Sequence, residues 1–384
     1  MRVSRWRRIV WVGVSAIAVP LVVLLGAYSG IYNVAASVGH QTWFNWLLRL
    51  GMTRSVTFHS SGEAPPVDLG DLHRIRLGAA HYESRCASCH GTPGSSVNPV
   101  FAQMLPSPPG LVQRVPEWQA DELFWIVRHG LKYTGMPAWS GGDRPDEIWS
   151  VVAFLQALPG LQEQEYEALA AGNNDADADA PSATELVEQG AQTLARGACD
   201  RCHDEPNAVP ISDLVPILAG QSAEYLARAL YEYRDGERAS GIMQPIAAEL
   251  QDGQIQDLAN YYSVAKAPIQ LTSLTPPRDG SAAADATGVT PGSVSDLAYY
   301  GNRQARVLPC IACHGQNSRP DYPKLGGQNA AYLGQQLRLW QKGGRDQTAW
   351  GEVMGTVAKH LTEQQITSLA EWFAAQGSSR EASQ

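Results

Sequence analysis

Cysteine is scarce in this chain and is confined to a single pattern. The 384 residues include six cysteines, and all of them lie in three copies of C-x-x-C-H: Cys86, Cys89 and His90; Cys199, Cys202 and His203; Cys310, Cys313 and His314. No cysteine is left for a disulfide framework elsewhere in the chain. A structural zinc site would combine two C-x-x-C pairs within one small domain, whereas these pairs lie about a hundred residues apart.

Other shortages narrow the function classes further. Charged residues make up only 17% of the chain, and 38 acidic side chains outnumber 29 basic ones, which gives a net charge of −9. A chain with this balance is a poor partner for nucleic acid. No alternation of strand and helix patterns accompanies the C-x-x-C pairs, which argues against thioredoxin-like redox chemistry. The length of 384 residues is sufficient for two or three domains.

The histidine that ends each motif indicates covalently attached c-type haem. Two thiols three positions apart on a helical turn can both bond the vinyl groups of one haem, and the adjacent histidine is then placed to ligate the iron. Disulfide pairing would leave three identical histidine placements unexplained. The sequence therefore predicts three haem c groups with their iron, attached at Cys86, Cys89, Cys199, Cys202, Cys310 and Cys313 and ligated by His90, His203 and His314.

A long uncharged run follows four arginines near the N-terminus. The run covers residues 9–31, which exceeds the roughly 7–15 residues of a signal-peptide core and meets the roughly 20 that span a bilayer. The basic flank is expected to stay inside, which leaves the remainder outside the inner membrane, in the periplasm. We predict an uncleaved single-pass anchor at 1–39 and a juxtamembrane segment at 40–71; cleavage near Val34-Ala35-Ala36 is the alternative.

Two polar stretches divide the rest of the chain. Residues 161–188 contain eight acidic residues and no Lys or Arg, a composition typical of a flexible, self-repelling linker. Residues 267–295 are rich in Pro, Gly, Ser, Thr and Ala and are interpreted in the same way. These boundaries predict haem domains at 72–160, 186–266 and 295–377, linkers at 161–185 and 267–294, and a tail at 378–384.

The second and third parts are repeats of each other. His203 and Met243 are separated by 40 residues, as are His314 and Met354, so both features recur after 111 residues. Between them, the sequence PILAGQ at 216–221 aligns with PKLGGQ at 323–328, and each is followed by a Tyr-Leu pair. Duplication explains these matches better than coincidence.

Helical patterns occur on both sides of the methionine loops. Residues 146–158 carry apolar side chains at helical spacing, and an aromatic-rich helix is expected around 122–129, ending at Gly130. Thr362 and Gln365 form a capping-box pattern at the start of the last helix. Each part therefore consists of a helix with the haem motif, a proline-containing loop, a helix, a methionine loop and a final helix.

With this order of elements the chain resembles class I cytochromes c, which are small all-α domains wrapped around one haem. The second and third parts resemble the tandem lobes of cytochrome c4-type dihaem proteins. The whole layout resembles the membrane-bound trihaem cytochrome subunits of periplasmic alcohol and gluconate dehydrogenases. The resemblance implies an all-α fold with an N-terminal transmembrane helix and three class I domains. It also implies that Pro109, Pro216 and Pro323 orient the haem-ligating histidines through their carbonyl groups; an ordinary turn role for Pro109 is the alternative.

The sixth iron ligand decides between an electron carrier and a catalyst, because a haem with both axial positions filled cannot bind substrate. Met136, Met243 and Met354 are the predicted ligands, and Met136 lies in a Gly-Met-Pro loop that resembles the class I ligand loop. Met104 is interpreted as a packing residue, and His360 is an alternative ligand in the third part. Histidine–methionine ligation would give fairly high reduction potentials.

These observations predict a membrane-anchored periplasmic relay of single electrons rather than an enzyme. Its expected partners are redox proteins: a quinol- or substrate-oxidising dehydrogenase, a terminal oxidase, or a small cytochrome or copper protein. Membership of a dehydrogenase or oxidase complex is an alternative. A haem enzyme with one open iron is another, although no distal Arg or Glu arrangement typical of peroxide chemistry can be identified in the sequence.

Overall fold

The computed structural model describes residues 5–62, 65, 68–141, 144–170, 199–203, 209–265, 269–274 and 293–379. The prediction of a mainly helical chain is confirmed. Within these residues, the strands are two segments of two residues each, β1 (Ile269–Gln270) and β2 (Ser378–Ser379), which pair antiparallel.

Two helices precede the first haem motif. Helix α1 (Arg5–Tyr28) contains an apolar stretch, Val10–Tyr28, that is long enough to cross a membrane and has no buried residue. Helix α2 (Thr42–Ser60) packs its C-terminal half on a later helix, Ala120–His129, and buries Val56 and Ser60. Its N-terminal half extends away from this contact, with the rings of Trp43 and Trp46 67% and 64% exposed.

The first helical group, residues 68–170, surrounds the motif of Cys86, Cys89 and His90. It contains α3 (Leu72–His81), a π-helical turn (Tyr82–Cys86), α4 (Ala87–His90), α5 (Pro99–Ala102), α6 (Leu111–Arg114), α7 (Ala120–His129), α8 (Pro145–Ala157) and α9 (Glu163–Ala170). Helices α3 and α8 cross at Gly78, where a Cβ atom would lie 2.1 Å from the carbonyl oxygen of Ser150. The rings of Tyr82, Phe124 and Phe154 fill the core beneath this crossing. The predicted helix at 122–129, its end at Gly130 and the helix at 146–158 are confirmed within one or two residues.

The second and third helical groups, residues 199–265 and 293–379, have matching elements. The second contains α10 (Ala223–Arg234), α11 (Met243–Ala247) and α12 (Asp252–Val264). The third contains α13 (Val294–Tyr300), α14 (Ile311–His314), α15 (Ala330–Gln341), α16 (Ala349–Ala358) and α17 (Glu363–Ala374). The predicted capping box of Thr362 and Gln365 is present at the start of α17. Each group has its own apolar cluster, centred on Ile255 and on Ile366.

Reciprocal amide hydrogen bonds join the second group to the third. The side chain of Gln221 accepts from the backbone nitrogen of Lys324 at 2.8 Å and donates to its carbonyl oxygen at 3.1 Å. The side chain of Gln328 makes the same pair of bonds to Ile217, at 2.9 and 3.0 Å. Gln221 and Gln328 occupy equivalent positions in the repeated sequence, as do Ile217 and Lys324. The duplicated halves therefore face each other across an approximate two-fold axis.

Parts of both predicted linkers pack against the helical groups. Residues 163–170 form α9, which buries Tyr166 and Ala170 against the first group because the acidic residues lie on the opposite, exposed side and at the helix N-terminus. Leu271 and Leu274, in the second predicted linker, are also buried, and Thr272 pairs with Gly326. The predicted tail contributes β2. The remainder of the first linker, 171–185, and residues 267–268 and 275–292 of the second lie outside the described residues, as do residues 186–198 at the start of the predicted second domain.

A buried histidine makes the first group sensitive to acid. His81 is 6% exposed at the end of α3, with its ring 4.7 Å from that of Trp139. Burial, assisted by the charge of Arg85, lowers the pKa of His81 to about 4. The unfolded chain therefore binds a proton to this side chain below about pH 6.5, while the folded chain does not until about pH 4. Folding stability is lost as the pH falls through this window.

We expect His81→Phe to reduce the acid sensitivity of the protein. The native protein should lose about 2 kcal/mol through His81 between pH 7 and pH 5, and the variant should not. Denaturant unfolding followed at both pH values measures the difference. Equal losses in the two proteins would show that His81 is not buried in its neutral form.

Candidate haem sites

Each haem motif places its histidine against the carbonyl group of a proline. The Nδ1 atoms of His90, His203 and His314 lie 2.9, 3.0 and 2.9 Å from the carbonyl oxygens of Pro109, Pro216 and Pro323, respectively. These are the three prolines that the sequence singled out. Pro109 therefore orients the ring of His90, in addition to any role in a turn.

This hydrogen bond determines which histidine nitrogen is free. A carbonyl oxygen only accepts, so Nδ1 carries the proton and Nε2 keeps its lone pair for a metal. Burial lowers the pKa of His90, His203 and His314, with the proline carbonyl acting in the opposite direction. All three imidazoles are therefore neutral and oriented, the state that iron ligation would require.

One apolar cavity of about 290 Å³ is shared by the second and third motifs. Its walls include the cysteines and histidines of both motifs together with Met243 and Met354: Cys199, Cys202, His203, Cys310, Cys313 and His314. The structure thus brings each of these two predicted methionines to the same space as its motif. His360, the alternative ligand in the third group, is exposed in the turn after α16 and is not among the cavity residues.

The methionine loop of the first group is held by close backbone packing. Gly130 has a φ of 61°, and a Cβ atom there would lie 2.6 Å from the carbonyl oxygen of Met136, so only glycine fits. Thr134 accepts from the backbone nitrogen of Met136 at 3.0 Å. The methyl group of Met104 lies directly over Gly135. Met104 therefore packs against the loop that carries Met136.

A pair of buried guanidinium groups lies at the shared cavity. Arg238 stacks on the ring of Tyr233 at 4.4 Å, and Arg345 stacks on the ring of Trp340 at 4.1 Å. Both arginines line the cavity, and neither forms an ion pair with a carboxylate among the residues that the structure describes. Burial and the nearby charge of Arg238 lower the pKa of Arg345. A buried excess of positive charge calls for an anionic partner.

These residues fit haem. The propionate groups of haem would supply the missing negative charge beside Arg238 and Arg345. The indole nitrogen of Trp340, which lines the cavity, is buried without a hydrogen-bond partner in the described part of the chain and offers a further donor. The indole nitrogen of Trp139 is in the same situation in the first group.

Sequence reasoning missed the two arginines. Their signal was the repeat: Arg238 and Arg345 are 107 residues apart, the same offset that separates Pro216 from Pro323. The presence of an arginine at equivalent positions of both copies was therefore visible in the sequence but was not used.

Cysteine pairs followed by oriented, neutral histidines on a helical framework define the class of proteins that bind haem covalently. Comparison with known proteins agrees. Residues 73–155 match the family described as cytochrome c oxidase, cbb3-type, subunit III. The thiosulfate dehydrogenase electron acceptor of Stutzerimonas stutzeri is 31% identical over 200 residues, which is 51% of this chain and 87% of that protein.

Cytochrome c4 relatives are similar over a comparable length. Cytochrome c4 of Thiocapsa roseopersicina is 30% identical over 48% of this chain and 90% of its own. The crystal structure of reduced recombinant cytochrome c4 from Pseudomonas stutzeri matches with 27% identity and a TM-score of 0.39, covering 50% of this chain and 98% of that one. The chain belongs to the c-type cytochromes, in the family that includes cytochrome c4 and the thiosulfate dehydrogenase electron acceptors. It transfers electrons by means of c-type haem.

We expect Arg345→Gln to lower the haem reduction potentials at the shared cavity. A nearby positive charge favours the reduced iron, which carries one positive charge fewer. A unit charge roughly 10 Å away at an effective dielectric constant of about 20 is worth about 1–2 kcal/mol, or several tens of millivolts. Spectroelectrochemical titration measures the shift. Arg345→Lys, which keeps the charge, is the matched control, and an equal shift in both variants would contradict the electrostatic role.

Proposed function

We propose that this protein is a membrane-anchored periplasmic cytochrome with three haem c groups, which relays single electrons between redox proteins. Bound haem iron supplies a one-electron couple at each C-x-x-C-H motif. In this proposal the chain forms three haem domains, with Cys86, Cys89, Cys199, Cys202, Cys310 and Cys313 as attachment points. His90 with Met136, His203 with Met243, and His314 with Met354 are the proposed axial pairs.

The cavity that joins the second and third motifs is the observation that carries the relay. Because Cys199 and Cys202 share it with Cys310 and Cys313, groups attached to the two motifs occupy neighbouring space. Electron transfer weakens steeply with distance, so a shared cavity favours rapid exchange between the two sites. The reciprocal bonds of Gln221 and Gln328 keep the two halves in this arrangement.

The first site is connected to the second through their methionine loops. The ring of Trp139, three residues after Met136, lies against Gly241, two residues before Met243. A Cβ atom at Gly241 would lie 2.0 Å from that ring, so the two loops are in direct contact. The order first, second, third is therefore the proposed path, in either direction.

The proposed filling of both axial positions would make the protein a carrier rather than a catalyst. Thioether ligation by Met243 and Met354 would close both irons at the shared cavity and raise their potentials relative to bis-histidine ligation. The relatives named as thiosulfate dehydrogenase electron acceptors support a dehydrogenase as the electron donor, and membership of such a complex is the second candidate function.

Helices α1 and α2 support the proposed anchoring. The apolar stretch Val10–Tyr28 has the length of a membrane span. In α2, Trp43, Trp46, Leu47 and Leu50 follow the i, i+3, i+4, i+7 spacing of one helix face and are exposed. Aromatic residues in this position are typical of the membrane–water interface, which would hold the first helical group next to the lipid surface.

We expect the purified protein to contain three haems per chain and to bind no carbon monoxide when reduced. Replacing Met136, Met243 or Met354 individually with Leu should open one iron each. About one third of the haem should then bind carbon monoxide, and the methionine-to-iron absorption band should lose about a third of its intensity. Optical spectroscopy with haem quantification makes both measurements.

Met104→Leu is the matched control, because Met104 also lies beside the first methionine loop. It should leave the absorption band and carbon monoxide binding unchanged. Carbon monoxide binding by the unaltered protein would instead favour a haem enzyme with an open iron, and loss of the band in Met104→Leu with its retention in Met136→Leu would exchange the roles of these two residues.

The partner proposal has a separate test. The chain, purified from its native membrane with mild detergent, is expected to be reduced by a substrate-oxidising dehydrogenase of the same periplasm in stopped-flow experiments. A stable complex after size-exclusion chromatography would establish the subunit alternative, whereas rapid reduction without a stable complex would establish a freely exchanging carrier. Absence of reduction by any such dehydrogenase would contradict both.

A further inference from the structure

The loop that carries Met243 is held by residues from a different helical group. Glu147, on α8 of the first group, is 4% exposed and accepts two hydrogen bonds from the second group. The hydroxyl of Ser240 donates to Oε1 and the backbone nitrogen of Gly241 donates to Oε2, both at 2.7 Å. The carboxylate therefore binds this loop through both of its oxygens.

Ser240 also forms a hydrogen bond with the backbone of Met243. Its hydroxyl oxygen accepts from the backbone nitrogen of Met243 at 2.9 Å and from that of Ile242 at 3.3 Å. The single hydroxyl proton is donated to Glu147, so the oxygen lone pairs face the start of α11. A continuous chain of hydrogen bonds thus runs from Glu147 through Ser240 to the backbone of the proposed ligand.

Arg144 keeps the carboxylate in place. Its guanidinium lies 2.8 Å from Glu147, makes a two-point contact with Asp146 at 2.9 and 3.0 Å, and donates to the carbonyl oxygen of Ala239 at 3.0 Å. Arg144 is 7% exposed. A buried carboxylate with this many donors is fully satisfied only when the Ser240 loop is in position.

Among the described residues, no carboxylate of another group binds the corresponding segment of the third group. Met354 lies within the longer helix α16, whose N-terminus is capped by its own Thr348 through a 2.9 Å bond from Gly351. The two repeats therefore hold their methionines differently. Met354 is held by its own helix, whereas the backbone of Met243 is held by contacts with another part of the chain.

We propose that Glu147 is a positioning residue for Met243, so that iron ligation at the second site depends on the first helical group. This inference rests on the proposed function, in which Met243 is an iron ligand. The contact between the first and second sites then has a second role besides bringing them close together. The first helical group, which would exchange electrons with the second site, would also hold the methionine that sets the reduction potential of the second iron.

The test uses the full-length reduced protein and the methyl signals of its iron-bound methionines in the NMR spectrum, which the haem ring current displaces far from the other methyl groups. Three signals are expected, and Met243→Leu identifies the one from the second site. Glu147→Gln and Ser240→Ala should each shift or broaden that signal and leave the other two in place. They should also weaken retention of the methionine ligand at the second site by about tenfold to a hundredfold, the range expected for loss of a hydrogen bond to a charged group, so that carbon monoxide, which the unaltered protein is expected not to bind, reaches about one third of the haem.

Two control variants separate positioning from general destabilisation. Ser150→Ala removes a buried hydroxyl of the same helix that donates to the backbone carbonyl of Asp146, and Glu117→Gln neutralises an exposed carboxylate paired with Arg114. Neither should move the signal. The double variant Glu147→Gln with Ser240→Ala should have little more effect than either single one, because both break the same chain of bonds.

The two levels of the proposal fail in different ways. Three unchanged methyl signals in Met243→Leu would show that Met243 is not the ligand, which overturns the proposed axial pair. Loss of one signal in Met243→Leu, with that signal unmoved in Glu147→Gln and Ser240→Ala, would overturn the positioning role alone. Equal displacement of all three signals would also overturn it, since the effect would then be on the whole fold.

Discussion

The hydrogen bond between each motif histidine and a proline carbonyl is the contact on which the sites depend. It fixes the proton on Nδ1, orients the ring and leaves Nε2 for iron in all three groups. The number of residues between histidine and proline differs from group to group: Pro109 follows His90 by 19 residues, whereas Pro323 follows His314 by only 9. The contact is thus kept while the connecting chain varies, which shows that the geometry at the ring, rather than the loop, is what the fold preserves.

A second set of contacts holds the two duplicated halves against each other, with their two motifs at one cavity. Gln221 and Gln328 satisfy the backbone groups of the opposite half at both donor and acceptor positions, so the interface leaves few buried polar atoms unpaired. Arg238 and Arg345 are the exception, because their charge has no carboxylate partner in the described residues. The two glutamines that hold the halves together and the two arginines that lack a carboxylate partner thus line the same cavity.

The sequence predicted features that depend on local spacing and missed those that depend on contacts between distant residues. The motifs, the helix ends at Gly130 and Thr362, and the pairing of the Met243 and Met354 registers follow from short-range patterns. The packing of α9 could not be predicted, because the acidic composition of residues 161–188 hid the apolar side of Tyr166 and Ala170. In the sequence, Glu147 looks like any acidic residue in the first turn of a helix. Its hydrogen bond to Ser240 joins residues 93 positions apart, and a periodic sequence pattern cannot predict such a contact.

The asymmetry between the second and third methionines bears on how a chain of three sites was built from repeats. A duplicated pair needs only self-complementary contacts, such as those of Gln221 and Gln328, because each half presents the same groups. Addition of a further group breaks that symmetry, since it meets the two halves through different residues. Here it touches the second half at the methionine loop, through Trp139 against Gly241 and Glu147 against Ser240. The loop before Met243 is therefore the place, within the described structure, near which side chains of all three groups meet, since Gln335 of the third group also bonds to Asp146 beside Glu147.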